Sequence, residues 1–130
     1  MNILVGYDGS NVAKDAIALA EQQAKAFNAK VFIVASMEFA PQVERHKYEV
    51  FQEDLKEAKA RFDALGIDCQ TEVSVKSDNA GEDLLQHARD LKADLIIIGV
   101  KRRSKLEKLV FGSTARYVIM EAPCPVLTVK

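Results

Sequence analysis

Apolar positions along this chain repeat with two alternating periods. Ile3-Leu4-Val5, Val31 to Ala35, Leu95 to Ile98, and the closing Val126, Leu127 and Val129 form short runs rich in β-branched residues. Continuous runs of this kind suit strands buried on both faces of a parallel sheet. Residues 69–76, Cys-Gln-Thr-Glu-Val-Ser-Val-Lys, instead alternate polar and apolar positions, as a strand nearer a sheet edge does.

Between these runs the period is helical. Ala13, Ala16, Ile17, Ala20, Ala24 and Phe27 recur at three- and four-residue steps, and Ser10 or Asn11 can cap the start of that helix. Val43, Val50, Phe51, Leu55, Ala58, Phe62 and Leu65 mark a long second helix, with Gly66 where a left-handed C′ residue is wanted. Leu84, Leu85, Ala88 and Leu91 mark a third, and Asn79 with Glu82 is spaced for a reciprocal cap. Ala115, Val118 and Ile119 mark a fourth, which starts near Ser113 and stops before Pro123. The predicted order is β-α-β-α-β-α-β-α-β, an α/β domain with a parallel sheet covered on both faces. Residues 100–112 fit no element and are too long for a tight turn; long loops in compact α/β domains are often functional.

Composition narrows the function. The chain has 130 residues, a usual size for one domain, so 1–130 is read as a single domain. Its formal net charge of −1 provides no global field toward nucleic acid or anionic lipid. No apolar run reaches the ~18 residues a bilayer span needs. The start, Met1-Asn2-Ile3-Leu4-Val5, lacks the basic region and cleavage site of a signal peptide, so a cytoplasmic location is expected, with no membrane partner. Cys69 and Cys124 show neither a CxxC spacing nor a His/Cys cluster, so no metal site is expected; two reduced, partly buried thiols are.

Ligands of an open parallel sheet bind at the carboxyl ends of its strands, where strand order reverses. Gly6 to Ser10, Gly99, and Gly112-Ser113-Thr114 meet there if the first and fourth strands are neighbours. The last group carries the most chemistry. A Gly permits close backbone approach, two hydroxyls follow, and the free N–H groups of a helix start favour an anion. Lys101, Arg102, Arg103 and Lys105 add positive charge upstream. Each feature also has a purely structural reading: Gly112-Ser113 as a turn and cap, Asp8 as an orienter of the first turn, and Lys101 to Lys108 as a solvated loop. No nucleic-acid fingerprint or aromatic platform accompanies these basic residues, so no nucleic acid is expected. Catalytic signatures are lacking too. The chain has no GxxxxGK[ST] and no GxGxxG, and His46 and His87 read as surface helix positions.

At this point the chain resembles the universal stress protein family from end to end. The resemblance rests on Ile3-Leu4-Val5-Gly6-Tyr7-Asp8-Gly9-Ser10, on Ala88 to Gly99, and on Phe111-Gly112-Ser113-Thr114-Ala115 followed by Ala122-Pro123-Cys124-Pro125-Val126-Leu127. It implies a Rossmann-like fold with a five-stranded parallel sheet in order 3-2-1-4-5, helices on both faces, and a homodimer joined through the last strand. Cys69 and Cys124 would then lie on strands at opposite edges. Nucleotide-binding members carry G-x2-G-x9-G-[ST]. Gly99 matches its first Gly, and Gly112 and Ser113 its final pair. Asp8 matches a residue that contacts adenine, and Ser36 lies at or beside a second-strand position that meets adenine or ribose through its backbone.

Arg102 stands where the motif has its second Gly. Either it blocks the close approach that Gly allows, or its guanidinium supplies a charge-assisted bond to phosphate. Lys76 ends the third strand where many members carry Gly. The resemblance thus implies a small regulatory stress-response protein, not an enzyme, that binds ATP, ADP or AMP, with or without Mg, at the ends of strands 1 and 4. The expected site is Asp8, Ser36, Gly99, Lys101, Arg102, Gly112, Ser113 and Thr114. The alternative is a homodimeric interaction scaffold of the same family that binds no nucleotide. An adenylyl-transferring enzyme on a related fold would need HxGH-like or SGGxDS-like signatures, which the chain lacks.

Overall fold

The structure, a computed structural model, describes residues 1–38, 44–76, 79–100 and 112–130. Strands β1 (Asn2–Gly6), β2 (Lys30–Glu38), β3 (Cys69–Lys76), β4 (Leu95–Gly99) and β5 (Val126–Val129) alternate with helices α1 (Asn11–Phe27), α2 (Glu44–Ala64), α3 (Ala80–Asp90) and α4 (Ser113–Glu121). All strand pairings are parallel, in the order β3-β2-β1-β4-β5. The continuous apolar runs of β1 and β4 have their three central residues buried, as strands covered on both faces must.

Alternation along the strands divides the core into two layers. Ile3, Val5, Val31, Ile33 and Ile97 face α1 and α2, which contribute Ala13, Ala16, Ala20 and Ala24 and then Phe51, Leu55 and Phe62. Alanines at these positions let α1 lie close to the sheet. Leu4, Val34, Ile96 and Ile98 face α3 and α4 and meet Leu84, Leu85, Ala88 and Val118. Burying each of the larger side chains contributes roughly 1.5–3 kcal/mol. Glu21 of α1, itself buried, ties α1 to α2 through the Arg61 guanidinium at 2.8 Å, and that bond holds its carboxyl below the ordinary range.

Helix ends follow their local chemistry. Ser10 caps α1 by accepting from the Ala13 amide, and Asn79 caps α3 by accepting from the Glu82 amide at 2.7 Å. Gly66 takes a left-handed φ of 73° after α2, and so do Asn28 after α1 and Lys92 after α3, at 52° and 51°. Cys69 opens edge strand β3, whereas Cys124 sits just before β5 rather than on it. Four strand spacings of ~4.8 Å separate the two edges, far beyond disulfide reach. Burial pushes the Cys69 thiol up to about 11 and raises that of Cys124. Among the described residues, no helix is long and apolar enough to cross a membrane.

Candidate functional site

The chain leaves β1 through α1 toward one edge of the sheet and leaves β4 through α4 toward the other, so strand order reverses between β1 and β4. A cavity of about 330 Å³ opens at their carboxyl ends. That volume lies within the range of small-molecule sites. Val34, Leu84, Ala13 and Ile98 give it apolar walls, and Asp8, Ser36, Gly99, Gly112, Ser113 and Thr114 also line it. Six expected site residues therefore share one cavity; Lys101 and Arg102, the other two, lie outside the described residues.

The loop after β1 is set by Asp8. Its Oδ1 accepts from the Ser10 amide at 3.0 Å and from the Ser10 hydroxyl, and Ser10 Oγ in turn accepts from the Ala13 amide at 3.2 Å. Asp8 thus orients the first turn of α1 and also borders the cavity. Gly9, with φ of 83°, lies beneath Phe51, where an added Cβ would come within 3.0 Å of the ring. Tyr7 donates its hydroxyl to Asp54 at 2.7 Å, and burial followed by that bond drives its pKa upward. No group of three His, Cys, Asp or Glu suited to a metal occurs among the described residues.

The two described motif glycines answer different demands. A Cβ on Gly99 would meet the Val12 backbone at 2.7 Å, so the packing of α1 on β4 requires Gly there whatever binds nearby. Gly112 has an ordinary φ of −63°, and a Cβ on it would meet none of the described residues within 4 Å. It is the N-cap of α4 and makes no side-chain cap bond, unlike Ser10 and Asn79. Among the described residues, no side-chain oxygen caps α4 as Ser10 and Asn79 cap α1 and α3, and Gly112, Ser113 and Thr114 line the cavity.

Sequence reasoning missed a chain of polar groups beside this floor. Ser36 Oγ donates to Asp83 Oδ2 at 2.7 Å, and Asp83 is only 4% exposed. His87, one turn on, lies 2.9 Å through Nδ1 from the Asp83 carbonyl oxygen and 2.7 Å through Nε2 from Glu72 Oε2. The surface reading of His87 is corrected, since its side chain is only 14% exposed. His46 does lie at an exposed position of α2. The available signal was Asp83 and His87 at i and i+4, facing the alternating polar row Glu72 and Ser74 of β3.

Comparison with known proteins fits this geometry. The chain matches the model of the Universal stress protein family over residues 1–130. A universal stress protein of Thermus aquaticus is 34% identical, over 98% of this chain and 97% of its own. The structure of a universal stress protein from Archaeoglobus fulgidus superposes with a TM-score of 0.83 at 25% identity, covering 100% of this chain and 93% of that one. A further universal stress protein, solved in complex with cAMP, superposes with a TM-score of 0.74 at 29% identity, covering 99% and 95%.

Proposed function

Because the chain belongs to the universal stress protein family, we propose that its cavity binds an adenine nucleotide and that occupancy is the signal a regulatory, non-catalytic protein passes on. The observation that carries this reading is the start of α4. Gly112 is required neither by φ nor by packing against any described residue, it caps nothing with a side chain, and it borders a cavity of about 330 Å³. A phosphate at that point would supply the missing cap, with the helix dipole adding attraction. The apolar walls suit the faces of a purine. The 29%-identical relative in complex with cAMP supports the ligand class. ATP, ADP and AMP share the features this site addresses; for a triphosphate, Mg2+ would arrive on the phosphates.

The reading extends to a cytoplasmic homodimer paired through β5. Two edges bound the sheet, and they differ. At β3, the Lys59 ammonium donates to the Cys69 carbonyl at 2.7 Å. That carbonyl points outward, because the preceding one, of Asp68, accepts from Val31 of β2. A lysine covering an edge carbonyl discourages strand addition. β5 presents Val126-Leu127-Thr128-Val129, with no charged side chain among the four.

Isothermal titration with AMP and ATP tests the nucleotide reading. The parent protein is expected to bind, and Gly112→Val, which fills the phosphate position, is expected to reduce affinity by at least about tenfold while remaining folded, the scale of a lost charged hydrogen bond. An absence of heat from the folded parent would dispose of the reading and favour the ligand-free scaffold, for which Gly112→Val changes nothing.

A further inference from the structure

The chain Ser36–Asp83–His87–Glu72 runs from the cavity floor to the outer strand, and its inner end fixes what the cavity offers a ligand. A serine hydroxyl has one proton and two lone pairs, while a carboxylate only accepts. Ser36 gives its proton to Asp83 Oδ2 at 2.7 Å. What remains for the cavity, which Ser36 lines, is a lone pair. Asp83 is itself held in place. It sits in the first turn of α3, where a negative charge is favoured, and His87 Nδ1 lies 3.5 Å from its other oxygen. Glu72 fixes His87 from β3 at 2.7 Å. A hydroxyl anchored in this way does not rotate to suit whichever ligand edge arrives.

We infer that Asp83 is a positioning residue that makes Ser36 an acceptor-only contact, so that the site selects a base carrying an exocyclic amino donor. This rests on the nucleotide reading above. Phosphate at the start of α4 directs the base toward β2, and beside Ser36 the walls are apolar, through Val34 and Leu84. A base whose amino N–H reaches Ser36 satisfies the lone pair. A base without that donor leaves a polar atom desolvated and unpaired, which weakens binding by about tenfold or more.

The test compares AMP with purine riboside 5′-monophosphate, which is AMP without its amino group. Titrations of both into the parent, Ser36→Ala and Asp83→Asn give a ratio of affinities, and a melt of each variant confirms folding. The parent is expected to prefer AMP by about tenfold. Ser36→Ala is expected to bring the ratio to about one. Asp83→Asn, whose amide can donate to Ser36 and release its proton, is expected to lower it. Damage to the fold alone would weaken both ligands together and leave the ratio unchanged. Equal binding of the two ligands by the parent, or a ratio that survives Ser36→Ala, would overturn this inference and leave the site intact. Binding of neither ligand would overturn the site as well.

Discussion

A Cβ placed on Gly99 would stand 2.7 Å from the Val12 backbone, while one placed on Gly112 would meet none of the described residues within 4 Å. A backbone neighbour cannot swing aside as a flexible side chain can, so relief at Gly99 requires α1 or β4 to shift. Gly99→Ala is therefore expected to cost about 1–3 kcal/mol. Gly112→Val loses only the preference of an N-cap position, under about 1 kcal/mol. Denaturant melts of the two variants check the order; equal losses, or the larger loss at Gly112, would refute the packing argument. At this scale Ser36, Asp83 and His87 make the same point from the opposite side. The Ser36–Asp83 contact spans 47 residues, so no local pattern marks it; only the i, i+4 spacing of Asp83 and His87 is local.

Elements were the most legible level. The period switches placed all five strands and four helices, because burial on two faces of a parallel sheet leaves continuous runs, and burial on one helix face leaves three- and four-residue steps. Gly66 was legible as a left-handed C′ residue; Lys92, at φ of 51°, was not, since lysine carries no turn signal. Asn79 supplies its half of the expected reciprocal cap, accepting from the Glu82 amide, and Ser10 rather than Asn11 caps α1. The part of the cavity proposed to bind an anion could be singled out because Gly112-Ser113-Thr114 is contiguous and its chemistry is that of one helix start. The floor was hidden because it arises from register: Ser36 lies opposite Ser74 of β3, and α3 then lays Asp83 and His87 over that polar row. Arg102, the departure from the family motif, lies outside the described residues, so its two readings pass to experiment.

At the scale of the whole molecule, the edge strand β5, which carries no charged side chain, carries the proposed dimer. Leu127 also packs against the core, so a charge there would perturb the fold as well as the edge. Thr128 is the cleaner site. The Pro125 and Val129 carbonyls accept from Ile96 of β4 and from Val100 just after it, so the alternate residue Thr128 directs its backbone groups outward. Thr128→Pro removes an outward N–H and leaves the β4 ladder intact. Sedimentation is expected to show the parent as a dimer and this variant as a folded monomer; a parent that sediments as a monomer would refute pairing through β5.

Adding AMP to 15N-labelled protein and following the backbone amides reads whether the first amides of α4 hold negative charge at the mouth of the sheet. Ser113 and Thr114 are expected to show the largest saturable shifts, and Gly112→Val is expected to abolish them. AMP that saturates the protein while those two amides stay in place would contradict that role.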